Sequence, residues 1–379
     1  MALIGLEISI FLFAAFLGYI IAIRIGQSST IGMILIGLVL GPSFLGLVSF
    51  DSGVRLLSEI GAILLLFVVG LESNFRDVYS ARNAVVALFG VLVPFACGFA
   101  VARLFGYSSI SALMVGTAIT ATSIAITAHV LKEMGKLSSR SAKTLIGAAV
   151  IDDVLGLMVL AIATGTANGA FSLQRAGIVA ISAILFFAIV ILLIPFISEI
   201  ASIVNRWAES IGYPQITLLL ALSVAFAYSA VSELIGLSAI VGAFVAGVTL
   251  ESSSIKSYKE GAAYIEMIFS SIFFVSLGVV MNLKEVDFSS WLFVLALIAV
   301  AVLTKVIGCF IPALLTGLGR RESLIVGFGM VARGEVASIV ALFGLSAGLI
   351  SQTIYTAIML VAVSTTLIAP IILKRLYAR

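Results

Sequence analysis

What this chain has least of is charge. Only 10% of its 379 residues are Asp, Glu, Lys or Arg, against about 25% in a soluble globular domain. With 62% hydrophobic residues and a mean hydropathy of +1.29, that shortage excludes a water-soluble fold. The cysteines are Cys97 and Cys309, both inside apolar runs. They read as small buried hydrophobes, so neither a disulfide framework nor a thiolate metal site is expected. A single histidine, His129, excludes a poly-histidine metal centre. No basic residue precedes Arg24, whereas Glu7 does. That is the wrong charge order for a cleaved signal peptide, and the N-terminus is expected to be a retained helix. Polar–apolar alternation is missing as well. Barrel strands alternate over about ten residues, and the continuous runs here, many near the roughly 20 residues a membrane helix needs, leave helices.

Apolar runs between polar or Gly/Pro breaks predict thirteen membrane helices, over 4–23, 30–41, 54–72, 83–104, 109–132, 143–166, 174–198, 213–231, 236–250, 261–281, 288–318, 322–346 and 352–373. The second and ninth are short and carry glycines. With the N-terminus outside, Arg55, Arg103, Arg175 and Lys284 fall in outer loops, and nearly all other loop Lys and Arg fall inside. This asymmetry predicts an N-out, C-in orientation and an odd number of spans. The chain ends so soon after the last span that no soluble regulatory domain is expected.

Against that apolar background the few intramembrane charges stand out. Asp152 and Asp153 are adjacent in GAAVIDDVLGLMVLAIATGT (147–166), with Lys143 and Arg175 the nearest flanking charges. One ionisable group at membrane depth costs roughly 3 kcal/mol on insertion scales, and two side by side also repel. Such a pair points to movement of ions or protons. Lys305 lies near the middle of the eleventh span and Arg333 midway along the twelfth. A lysine stem reaches only about 6 Å, so Lys305 does not snorkel to the interface from mid-span. It requires a carboxylate, and the Asp152–Asp153 pair is the natural partner.

Two spans carry signs of a break. Thr117, Thr120, Thr122, Ser123 and Thr127 crowd into GTAITATSIAIT (116–127). Single hydroxyls in membrane helices usually bond back to the preceding turn. Their density beside an acidic span instead suggests hard oxygen donors and unwound backbone, which is tolerated at depth only where it lines a cavity. The twelfth span, GFGMVARGEVASIVALFG (327–344), is rich in glycine and holds Arg333 and Glu335, expected to pair with each other or to cap exposed half-helix ends. Spans 4-5-6 and 11-12-13 each have the break in the central helix and face opposite ways. That arrangement is an inverted-topology repeat with two broken, crossed helices bracketing a midplane site.

Consecutive helical residues point about 100° apart, so the two aspartates face different partners. One is free to pair with Lys305 while the other faces a water-accessible cavity. Burial disfavours every charged form, and the three groups exchange protons as one coupled system. A sodium ion and a proton each neutralise a carboxylate but do not occupy it together. If the empty site is too costly to carry across, exchange of one for the other follows.

In the order TATS (120–123), AAVIDDVLGL (148–157), Lys305 and GMVARGEV (329–336), preceded by GPSFLGL (41–47) and LLFVVGLE (65–72), the chain resembles the sodium–proton antiporters of the second cation–proton antiporter family. The likeness is strongest to its NapA-like members, more distant to NhaA, and covers essentially the whole chain. It implies an all-α polytopic protein of about thirteen helices with an NhaA-like fold in one transmembrane domain, 1–379. A core over 83–166 and 288–373 would move, elevator-like, against a dimerisation scaffold over 1–72 and 213–281, with 174–198 linking them. The resemblance implies that Asp153 binds the cation, sodium being held there with Asp152 and Thr122, that Asp152 pairs with Lys305 and carries a proton, and that Thr120, Thr122 and Ser123 line the site. Two acids where electroneutral relatives have Asn–Asp imply more than one proton per sodium. It implies a homodimer in a prokaryotic cytoplasmic membrane, with no cofactor and no nucleic-acid partner, only transported sodium or lithium and protons. In ITAHVLKEMG (126–135) the chain departs from the pattern, with His129 where relatives often carry arginine. A lone histidine near a helix end is ordinarily a capping or interface residue, and the sharper reading is a pH-responsive group near the inner funnel.

Potassium-efflux relatives of the Kef type carry Gln–Asp and usually a nucleotide-binding domain. Both are missing from this sequence, leaving potassium–proton exchange as the alternative within the family. An intramembrane aspartyl protease needs its acids on separate helices, facing across a peptide bond, which adjacent acids on one helix do not provide. No enzyme activity is expected. A passive cation channel also uses hydroxyls and acids, and flux coupling distinguishes it.

Overall fold

The computed structural model describes residues 2–48, 50–72, 80–167, 173–251, 255–280, 284 and 291–378, which are helical with no strand among them. The helices are α1 (Ala2–Arg24), α2 (Ser29–Leu40), α3 (Ser52–Leu71), α4 (Ala81–Leu104), α5 (Ser109–Thr120), α6 (Ile124–Glu133), α7 (Arg140–Ala167), α8 (Leu173–Ser210), α9 (Ile216–Leu234), α10 (Ala239–Glu251), α11 (Lys256–Val279), α12 (Trp291–Leu315), α13 (Arg320–Gly329), α14 (Glu335–Ser346) and α15 (Gln352–Ala378). Nine segments among the described residues are long and apolar enough to cross a membrane. The helices α2 and α10 are shorter and apolar. With each of the pairs α5–α6 and α13–α14 taken as one interrupted span, the described residues form thirteen helical segments, and the two breaks fall where the hydroxyl-rich and glycine-rich stretches predict them.

The helices pack through small residues, as expected where lipid is as apolar as any side chain. Helix α3 is clasped by α10 and α11. A Cβ on Gly70 would lie 2.2 Å from the Phe244 carbonyl oxygen, and one on Gly247 would lie 2.2 Å from that of Phe67. Only glycine allows α3 and α10 this approach, and it buries α10 almost completely despite its short length. Around this contact Leu65, Leu66, Phe244, Phe273 and Phe274 form a buried core. Helix α4 packs along α5 and α12, while α13 lies against α7, α12 and α15.

One boundary differs clearly from the expectation. Helix α8 continues past 198 to Ser210 and has 38 residues, about 57 Å at 1.5 Å per residue. Arg206 therefore lies on a helix rather than in a loop. Between Pro195, which the helix absorbs, and Gly212, which takes a φ of 79°, no helix-breaking residue intervenes. Arg76, placed in an inner loop by the charge pattern, lies outside the described residues.

Candidate functional site

Helix α7 carries both aspartates to the middle of the molecule and α12 brings Lys305 beside them. Lys305 is fully buried, and its ammonium donates to Asp152 Oδ1 (2.8 Å), the Gly90 carbonyl (2.9 Å) and the Thr120 carbonyl (2.6 Å). Both carbonyls are available for reasons written in the sequence. Gly90 lies four residues before Pro94, which has no N–H to close the helical bond. Thr120 ends α5, so its carbonyl has no partner within the helix. Gly90 also has to be small, because a Cβ there would lie 2.8 Å from Cys309 Sγ and 3.6 Å from Asp152 Oδ1. The three donors of the ammonium are thus matched by three acceptors.

Arg333 does for backbone what Lys305 does for a carboxylate. Its guanidinium is buried and donates to the carbonyls of Ile119 (Nε 2.9 Å, Nη2 2.6 Å), Val331 (2.7 Å) and Ala301 (3.0 Å). Ile119 and Val331 sit at the C-terminal ends of the two half-helices α5 and α13, the ends where a cation is favourable. Four more carbonyls of the crossing are also taken. Thr122 Oγ1 donates to Met330 O (3.2 Å), Thr127 Oγ1 to Gly329 O (2.8 Å) and Thr366 Oγ1 to Arg333 O (2.5 Å). The Ser123 N–H donates to Ala332 O at 2.8 Å, joining the two unwound segments directly. The crossing is close: a Cβ on Gly334 would lie 2.9 Å from Ser123 Oγ. These bonds cap half-helix ends, one of the two roles expected of Arg333. The side chain of Glu335 lies outside the described residues.

The aspartates face different surroundings. Asp152 is 1% exposed and engaged by Lys305, whereas Asp153, 7% exposed, forms part of the wall of a cavity of about 520 Å³. Ser58, Ser276, Arg333, Gly334 and Thr366 share that wall. The cavity runs toward the start of α3, at Phe50 and Arg55, and the turn between α9 and α10, at Leu237 and Ser238. At the opposite end of α3, side chains of α6 bridge to α2 and α11, with Lys132 bonded to Glu266 and Glu133 to Ser28. The cavity beside Asp153 thus runs toward one end of α3, and the α6 bridges lie at the other.

Sequence reasoning named Thr120, Thr122 and Ser123 as lining residues. The structure brings them to the crossing, where Thr120 offers its carbonyl to Lys305 and bonds its hydroxyl back to Thr117 O (2.7 Å). None of the three is among the residues lining the cavity. Gly90, Pro94 and Thr366 are not marked out by the sequence reading, whereas Thr127 belongs to its hydroxyl-rich stretch. Pro94 inside an apolar span was the available signal, since it advertises an unpaired carbonyl four residues earlier.

Comparison with known proteins agrees with this geometry. The family described as "Sodium/hydrogen exchanger, transmembrane" matches residues 11–379. The chain is 35% identical over 381 residues to the Na(+)/H(+)-K(+) antiporter GerN of Bacillus cereus, covering 97% of this chain and 95% of that one. It is 34% identical over 383 residues to the Na(+)/H(+) antiporter of Enterococcus hirae, covering 99% and 98%. In fold it is similar to the sodium proton antiporter MjNhaP1 of Methanocaldococcus jannaschii, with a TM-score of 0.69 at 17% identity over 98% of this chain and 94% of that one. A chain matched over nearly its whole length, with crossed half-helices around a buried Asp–Lys pair, belongs to the sodium/hydrogen exchanger family of multi-pass membrane antiporters.

Proposed function

We propose that this protein exchanges sodium or lithium for protons, with Asp153 the group at which cation and proton compete. The observation that carries the reading is the inequality of the two acids: Lys305 holds Asp152 at 2.8 Å, and Asp153 faces the cavity. A carboxylate that must be neutral to cross, and that either ion neutralises, couples the two fluxes without further chemistry. Asp152 and Lys305 form the second proton-handling unit: a proton arriving at Asp152 releases the lysine, and its departure restores the pair. Exchange is then electrogenic, with more than one proton per cation. Thr120 at the end of α5, with Thr122 and Ser123 between the half-helices, shapes the cation's surroundings, and Arg333 holds the crossing together.

Alternating access in this reading is elevator-like. The packing supports it: α4 to α7 and α12 to α15 contact one another around the crossing, while α1 to α3 and α9 to α11 pack together. The cavity runs between the two groups. The first group is the moving core and the second a dimerisation scaffold, linked by α8. The bias of Lys and Arg toward one set of loops supports an outer N-terminus and an inner C-terminus in a prokaryotic cytoplasmic membrane. Potassium is the second reading for the cation, favoured by the likeness to the Na(+)/H(+)-K(+) antiporter GerN of Bacillus cereus.

The test is antiport in proteoliposomes with sodium, lithium and potassium compared across pH, with and without a membrane potential. Proton movement that reverses on sodium addition and is accelerated by a potential is expected. Cation leakage without proton movement would overturn antiport in favour of a channel.

A further inference from the structure

The wall of the cavity beside Asp153 is drawn from both packing groups. Asp153 on α7, Arg333 at the crossing and Thr366 on α15 belong to the first, whereas Ser58 on α3 and Ser276 on α11 belong to the second. The rest of what α3 and α11 contribute is apolar (Ala62, Ile63, Phe273, Leu277) or is Arg55 and Glu59, which pair with each other at 3.0 Å and are more than half exposed. Ser58 and Ser276 are instead buried, with their oxygens 2.7 Å apart.

Their partners fix the placement of the hydrogens. A serine has one O–H to give and two lone pairs to offer. Ser276 gives its hydrogen to the Phe273 carbonyl (2.8 Å), on its own helix. The contact between the two serines is therefore closed by the Ser58 hydrogen, donated to Ser276 Oγ. Ser58 Oγ keeps both lone pairs and accepts no hydrogen bond among the described residues. Thr366 Oγ1, on the core side of the cavity, is in the same condition, its hydrogen going to Arg333 O. A hydroxyl pair between membrane helices ordinarily joins them. This one joins α3 to α11 and also leaves an acceptor on the wall of the cavity that Asp153 reaches.

We infer that Ser58 is a cation ligand lent by α3, its oxygen taking part in the shell of the cation that meets Asp153 in this cavity. The inference rests on the transport reading above. A cation that leaves water for a largely apolar cavity has to replace hydration oxygens, and Arg333 on the same wall adds a like charge. Asp153 balances the charge, and the neutral oxygens of Ser58 and Thr366 replace water. The two hydroxyls differ in what carries them. Thr366 travels with Asp153 on the core, whereas Ser58 stays on α3. The site therefore holds its cation more tightly while Asp153 faces this cavity than after the core has moved, and α3 sets the difference between the two sides of the membrane.

Sodium-dependent proton movement in right-side-out and everted membrane vesicles tests this, because the two preparations present opposite faces of the protein to added sodium. Ser58→Ala and Ser58→Cys both remove the hydroxyl. Each is expected to raise the apparent sodium KM about fivefold on one face, and by less than about twofold on the other. By the charge pattern the affected face is the outer one. Ser58→Thr keeps the oxygen and should restore the unmodified KM. Ser276→Ala breaks the pair but leaves the Ser58 oxygen on the wall, and should change KM by less than about twofold on either face. An equal rise on both faces, no rise on either, or a rise in Ser276→Ala matching that in Ser58→Ala would make the pair a bond between helices only and overturn the proposal. Absence of any cation–proton exchange in the unmodified protein would sink the transport reading, and this inference with it.

Discussion

At the scale of single residues, Asp152 gives one oxygen to Lys305 Nζ at 2.8 Å, while its neighbour Asp153 reaches the cavity wall. The helical rotation of about 100° per residue separates them. Asp153→Ala is expected to abolish sodium-dependent proton flux in proteoliposomes while the protein remains monodisperse. Exchange at the unmodified rate would remove Asp153 from the mechanism. Lys305→Gln is expected to cost about 3–5 kcal/mol of stability, because it leaves a buried carboxylate without its partner. Thermal unfolding in detergent measures that loss, and a voltage-driven flux equal to that of the unmodified protein would count against Asp152–Lys305 as a proton-handling unit. The presence of these charges was legible from their rarity in apolar runs. The acceptor set of Lys305 was not, since Gly90 and Thr120 lie on α4 and α5, far from Lys305 in sequence, and meet it only in three dimensions.

At the scale of elements, the two interrupted spans were readable from hydroxyl density and glycine content, and the breaks fall at Ala121–Ser123 and Met330–Gly334. What holds the breaks together was less readable. Thr366 stands on α15, and nothing in its local sequence announces that it donates to Arg333 O. Thr366→Val removes that donor and leaves a buried carbonyl, a loss of about 1–3 kcal/mol. A lowered melting temperature and a raised sodium KM are expected, with Thr366→Ser restoring both. The contact between α4 and α12 gives a second prediction. Gly90→Ala brings a Cβ to 2.8 Å from Cys309 Sγ and should displace Lys305 from its acceptors. Exchange should fall in Gly90→Ala and recover at least partly in the double variant with Cys309→Ala, which removes the thiol; no recovery would show that the strain lies elsewhere.

At the scale of the whole molecule, the proposed function has two ions competing for Asp153 on the wall of one cavity. Lower pH should therefore raise the apparent sodium KM, approaching tenfold per unit once protons dominate Asp153, and flux measured at graded sodium checks it. Composition by itself determined that the chain lives in a bilayer, because residues this apolar do not form a water-facing surface. Hydropathy runs determined the thirteen passes, since backbone groups in lipid must be satisfied within each helix. The motif order carried the family. The resemblance implied that Asp152 meets the lysine; tertiary structure alone supplied the carbonyls that share Lys305, the Ile119 carbonyl that Arg333 caps, and the approach of His129 to Glu266. The contacts Lys305–Asp152, Arg333–Ile119 and His129–Glu266 each join residues more than 100 positions apart, and a pairing over that distance is set by how helices pack, which a linear pattern does not encode.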